Sequence, residues 1–129
     1  MTSVKRTGKR IFSYDEALAT FPLVRDLTAA AVRQVDSLIQ KAHNARDPEA
    51  SEEEEDAKMA ARRAEVEEAC QKIVDLWTRE IVAVGCEVKG LWLVDWDNGD
   101  GYWCWRFPEE SISFFHTYEE GFAGRIPVN

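Results

Sequence analysis

The stretch Trp77-Thr-Arg-Glu-Ile-Val-Ala-Val-Gly-Cys-Glu-Val-Lys-Gly-Leu-Trp-Leu-Val-Asp-Trp96 separates two kinds of structure. Up to Val84 the large apolar residues, Trp77, Ile81 and Val84, return every three or four positions, the period of a helix face. Past Gly85 the chain becomes rich in Val, Trp, Phe, Tyr and Ile, with turn residues between the runs, the signature of strands. Gly85 suits the left-handed residue that closes a helix. A helical half followed by a sheet half defines an α+β chain.

Working back from Gly85, the same stripe continues through Ile73, Cys70, Val66 and Met59, widened by Ala64, Ala60 and Ala57. Ser51 or a neighbour caps this helix. The acids Glu52 to Asp56 follow in its first turns, where the macrodipole favours them. Consecutive glutamates point around the whole helix at about 100° per residue, so they do not converge on one ion. An earlier stripe, Val24, Leu27, Ala31, Val35, Leu38 and Ala42, predicts a partner helix ending near Asn44, ahead of the break at Asp47-Pro48. Ser13-Tyr-Asp-Glu16 is a capping box. It predicts a short helix from Tyr14 to about Thr20, with a restart at Pro22 capped by Thr20. At 1.5 Å per residue the second long helix spans ~50 Å and the first ~34 Å. The surplus must be covered by the short helix, the sheet or a second subunit.

Working forward, three strands are expected, over about Val88–Trp96, Tyr102–Phe107 and Ile112–Tyr118. Asp97-Asn-Gly-Asp-Gly101, an Asn-Gly hairpin signal, and Pro108-Glu-Glu-Ser111 join them. Short links make neighbours antiparallel, so the expected fold is a long antiparallel helical hairpin followed by a three-stranded antiparallel β-meander. The 129 residues are read as a single domain, with a basic tail over 1–10, a helical part over 12–84 and a sheet part over 86–127. Arg125-Ile-Pro-Val-Asn129 receives no element.

Net charge is −8, and Lys5, Arg6, Lys9 and Arg10 put four positive charges in the tail, leaving −12 on the remainder. Such a body repels a phosphate backbone, so no nucleic-acid partner is expected. No apolar run reaches the roughly 20 residues of a membrane span, and the first residues lack the apolar core of a secretory leader. Three widely spaced cysteines, Cys70, Cys86 and Cys104, form neither a disulfide framework nor a Cys-x-x-Cys zinc pattern. These features point to a cytoplasmic protein with reduced thiols, and no membrane association is expected. Without a phosphate loop, dinucleotide fingerprint or His-Glu-x-x-His, no cofactor is expected.

Three groups of residues invite chemistry. Asp95 opens an acidic turn, but counting from it the fifth, sixth and twelfth places hold Gly99, Asp100 and Arg106, which breaks the calcium-loop pattern. Cys104 and His116 lie on adjacent predicted strands. Pairing Phe107 with Ile112 sets Cys104 against Phe115, whereas a slip of one sets Cys104 beside His116. Only the second register supplies a thiolate–imidazolium couple or two metal ligands; otherwise both residues are core. Arg106, His116, Glu119, Glu120 and Arg125 form a looser polar set. In it the arginines either tie the C-terminal segment to the sheet by ion pairs or hold an anion while His116 handles protons.

Phe12-Ser-Tyr-Asp-Glu-Ala-Leu-Ala-Thr-Phe-Pro-Leu-Val-Arg25, Val84-Gly-Cys-Glu-Val-Lys-Gly90, Leu93-Val-Asp95, Cys104-Trp-Arg106, Phe115-His116 and Glu120-Gly-Phe-Ala-Gly-Arg-Ile-Pro127 resemble the prokaryotic family catalogued as domain of unknown function 2203. The resemblance runs from about Phe12 to Pro127. This chain departs from the family pattern at Pro108, Phe115 and Trp96-Asp97. The family brings no established activity, and its polar motif positions include Asp95, Cys104, Arg106, Glu109, His116, Glu120 and Arg125. Two functions are therefore expected to compete. One is an interaction or regulatory module that self-associates as a homodimer or meets another protein. The other is a small-anion or metal-binding protein, with an enzyme among its forms, whose candidate site residues are Asp95, Cys104, Arg106, His116, Glu120 and Arg125.

Overall fold

The computed structural model describes residues 10–128. The expected tail lies outside them except for Arg10, whose guanidinium donates to the Val84 carbonyl at 3.2 Å and sits 4.3 Å from the Phe12 ring centre. Helix α1 spans Tyr14–Asn44 and α2 spans Glu52–Val84. Both begin with a capping box, Ser13 with Glu16 and Ser51 with Glu54, and α2 closes on Gly85 at φ 110°. Strands β1 (Glu87–Gly90), β2 (Leu93–Asp97), β3 (Gly101–Arg106), β4 (Phe114–Thr117) and β5 (Ile126–Pro127) form one antiparallel sheet in chain order. The two long helices are antiparallel neighbours in sequence and space, so the α+β hairpin-and-sheet plan holds.

Three expectations are corrected. Helix α1 does not break at Pro22, which sits inside it. Ala17, Phe21, Val24, Thr28 and Ala31 form one buried stripe through that point, so packing on both sides outweighs the backbone bond that proline removes. Thr20 is no cap: its hydroxyl donates to the Ala17 carbonyl and accepts the Trp96 indole N–H, each at 2.8 Å.

The sheet has five strands rather than three. The run expected as one strand folds at Leu91-Trp92, where Trp92 takes φ 60° and packs edge-on against Trp77 at 4.9 Å. Burial of that indole against α2 outweighs the strand preference of the sequence around it. The unplaced C-terminal segment supplies β5, with Ile126 opposite Phe115.

The β3–β4 register matches neither expected alternative. Tyr102 faces His116, Trp103 faces Phe115 and Cys104 faces Phe114. Ile112 is fully buried with the helices, and its carbonyl accepts the Tyr14 hydroxyl at 2.7 Å. It therefore cannot pair with Phe107, and the connection lengthens. Gly101 holds this register, because a Cβ there would collide with the His116 carbonyl oxygen. Gly101→Ala is therefore expected to cost about 1–3 kcal/mol by urea unfolding, as strands β3 and β4 are forced apart.

Side-chain alternation then sorts the sheet into two faces. Val94, Trp96 and Trp105 join Phe12, Phe21, Val24, Trp77 and Ile81 in the apolar core under the helices. Asp95, Asp97, Tyr102 and Cys104 alternate with them and lie on the opposite face, yet all four are buried.

Candidate metal centre

Strands β2, β3 and β4 carry the centre of that polar face. Asp95 pairs with Cys104 across β2–β3, and His116 stands diagonally from Cys104 across β3–β4. Among the described residues, Asp95, Cys104 and His116 bring one carboxylate oxygen, one thiol sulfur and one imidazole nitrogen within 4.8 Å of one another. His116 Nε2 lies 2.8 Å from Asp95 Oδ2, and His116 Nδ1 lies 2.8 Å from the Thr117 carbonyl. A carbonyl only accepts, so Nδ1 carries a proton and Nε2 points into the cluster. Asp95 Oδ1 is buried with no hydrogen-bond partner.

Electrostatics rule out one expected use of the cysteine. Burial, then the neighbouring Asp95 carboxylate, push the Cys104 thiol well above its ordinary range, only partly opposed by Arg125. Both ring nitrogens of His116 are engaged elsewhere. Cys104 is thus a protonated thiol at neutral pH rather than half of a thiolate–imidazolium couple. Burial likewise raises Asp95 above the usual carboxylate range, against the pull of the Cys104 thiol and the His116 ring. The bond to His116 compensates one oxygen of the desolvated Asp95 carboxyl, and a cation between the three side chains would compensate the other.

The remaining candidates lie around the cluster. Arg125 touches it through Cys104, but its guanidinium is held elsewhere. It bonds both oxygens of Glu109, at 3.0 and 2.9 Å, and lies 4.0 Å from the Phe114 ring centre and 4.1 Å from that of Phe122. Glu109 also accepts the Arg106 backbone N–H at 2.8 Å, so this clamp ties the C-terminal segment to the turn after β3. The expected ion-pair tie exists for Arg125, with Glu109 in place of Glu119 or Glu120 as the acid. Arg106 is exposed and sits 5.5 Å from the Phe122 ring centre. Glu120 is exposed and bonds Thr117. Neither joins the cluster. Tyr102, 5.4 Å from the His116 ring, and Thr117, which orients that ring, were not among the candidates. Thr117 acts through its backbone, which no side-chain pattern announces. The acidic turn is a hairpin closed by Asn98, which accepts the backbone N–H groups of Asp100 and Gly101 at 2.8 Å.

An α+β chain of this plan, a helical hairpin on one face of a sheet and a buried Asp–Cys–His cluster on the other, is defined by its fold and site together. A family model described as "Uncharacterized conserved protein (DUF2203)" matches residues 10–128, and the chain belongs to that family. No curated protein and no solved structure matches it.

Proposed function

We propose that the chain is a metal-binding protein whose ion is held by Asp95, Cys104 and His116. The observation that carries this reading is the convergence of three buried donors of different type, with Asp95 Oδ1 left unpartnered beside them. The set of one thiol, one imidazole and one carboxylate suits zinc or a similar borderline divalent ion, not calcium or magnesium, which take oxygen alone. The Nδ1–H bond from His116 to Thr117 is the outer-shell contact that orients a ligating imidazole. A divalent charge would also favour the Cys104 thiolate that burial and Asp95 disfavour. Burial of all three donors supports a structural or storage role over one that turns over a substrate. Titration calorimetry with zinc is expected to give about one ion per chain, abolished by Cys104→Ser and by His116→Ala. Equal binding by wild type and Cys104→Ser would sink the assignment.

A further inference from the structure

Helices α1 and α2 run on past the sheet as a two-helix arm. Buried side chains on α1 stop at Ala31 and those on α2 resume only at Trp77; between them Glu55 alone is buried. A pair of helices cannot cover its own apolar stripe, because each shields only one side of the other. The result is a groove of about 450 Å³ lined by Val35, Ile39, Ala42, Met59, Val66 and Cys70, with Ile39 and Met59 about half exposed.

The charges around this groove say what fits it. Arg62, Arg63 and His43 line it together with one acid, Glu67, so the groove carries a small positive excess in a chain of net charge −8. Arg62 is engaged with Glu55 at 3.4 Å, whereas Arg63 is exposed and has no ion partner among the described residues. The α2 stripe through the groove reads Glu52, Asp56, Met59, Arg63, Val66 and Cys70, at alternating steps of four and three. It is acidic at its start, apolar at Met59 and basic just beyond. Reversed about Met59, its acidic and basic positions at Asp56 and at Arg62 and Arg63 complement each other, while Glu52 falls opposite Val66. An antiparallel pairing of two α2 helices about a two-fold axis near Met59 sets Asp56 of each copy beside Arg62 and Arg63 of the other. It also seats Met59 and Ile39 in the facing grooves.

We infer that the arm is a self-association surface and that its occupant is a second copy of this chain, the two hairpins closing into an antiparallel four-helix bundle. Self-complementary charge is what lets two acidic molecules meet here in one register. The inference is independent of the metal reading, since the arm carries none of the three proposed ligands.

Sedimentation analysis of the whole chain at micromolar concentrations and above tests it. Wild type is expected to be a dimer. Met59→Glu is expected to be a monomer of unchanged helicity, because Met59 is exposed on its own helix. Arg63→Asp is expected to weaken association at least about tenfold. The double change Asp56→Arg with Arg63→Asp is expected to restore it, and Arg79→Asp, an equal charge change at another exposed α2 position, to leave it intact. A monomeric wild type overturns the inference and leaves the groove to a foreign acidic helix. A dimer indifferent to Met59→Glu, or equally weakened by Arg79→Asp, overturns it as well.

Discussion

Replacing Trp77 by alanine is expected to lower stability by about 3–5 kcal/mol, the range for removing a large buried aromatic side chain. Trp77 is almost fully buried and joins three parts of the chain. It sits on α2, packs edge-on against Trp92 at the bend between β1 and β2, and donates its indole N–H to Thr28 on α1 at 2.9 Å. Thr28 in turn donates to the Val24 carbonyl at 2.7 Å, so a hydroxyl in the core has both a donor and an acceptor role filled. Trp77→Phe separates the contributions. It keeps most of the apolar volume and loses the Thr28 bond, and it should cost about 1 kcal/mol beyond the smaller ring. Urea unfolding followed by circular dichroism measures both. A Trp77→Ala variant as stable as wild type would mean that the helices and the β1–β2 bend do not meet through this residue.

The second large effect divides stability from metal binding. Asp95→Asn keeps the side-chain shape and removes a buried charge whose ionised form burial disfavours. Without metal, stability is expected to stay within about 1 kcal/mol of wild type, since the asparagine amide fills the same space and can still hydrogen-bond His116 Nε2. With zinc at a hundredfold excess over its dissociation constant, wild type gains about 2.7 kcal/mol, and the Asn variant should gain little of it. His116→Ala behaves differently. It leaves Asp95 without its bond to His116 in the interior and should cost about 3–5 kcal/mol even without metal. Thermal unfolding of the three proteins, each with zinc and with a chelator, gives the comparison. If Asp95→Asn destabilises the metal-free protein as much as His116→Ala, the pair is a structural hydrogen bond and the metal reading loses its support.

Local rules carried much of the fold. The Ser13 capping box, a cap at Ser51, the end of α1 near Asn44 and the stop at Gly85 are short-range features set by adjacent residues, and the structure places them where the spacing puts them. That Ser51 and Glu54 also form a capping box is a finding of the structure alone. Long-range packing decided the rest. Pro22 looks like a break until the stripe running through it is seen to be buried on both sides. Gly90-Leu-Trp92 looks like strand until Trp92 finds Trp77. The site depended on register, which a period of two leaves open. A shift of one residue would move His116 to the other face of the sheet, and the burial of Ile112 among the helices together with the close approach at Gly101 determines which face it takes. Arg125 was legible as an ion-pair residue, but its acid was not, since Glu109 reaches it through the turn after β3.

The central claim is that Cys104 becomes a metal ligand together with Asp95 and His116, and cobalt(II) addition followed by absorption spectroscopy tests it most directly. Thiolate ligation produces an intense sulfur-to-cobalt charge-transfer band in the near ultraviolet, and low coordination number intensifies the visible bands. The account predicts that both appear in wild type, saturate at about one cobalt per chain and vanish in Cys104→Ser, while Cys70→Ser leaves them unchanged. A titration that raises no charge-transfer band, or one whose band survives Cys104→Ser, would contradict it.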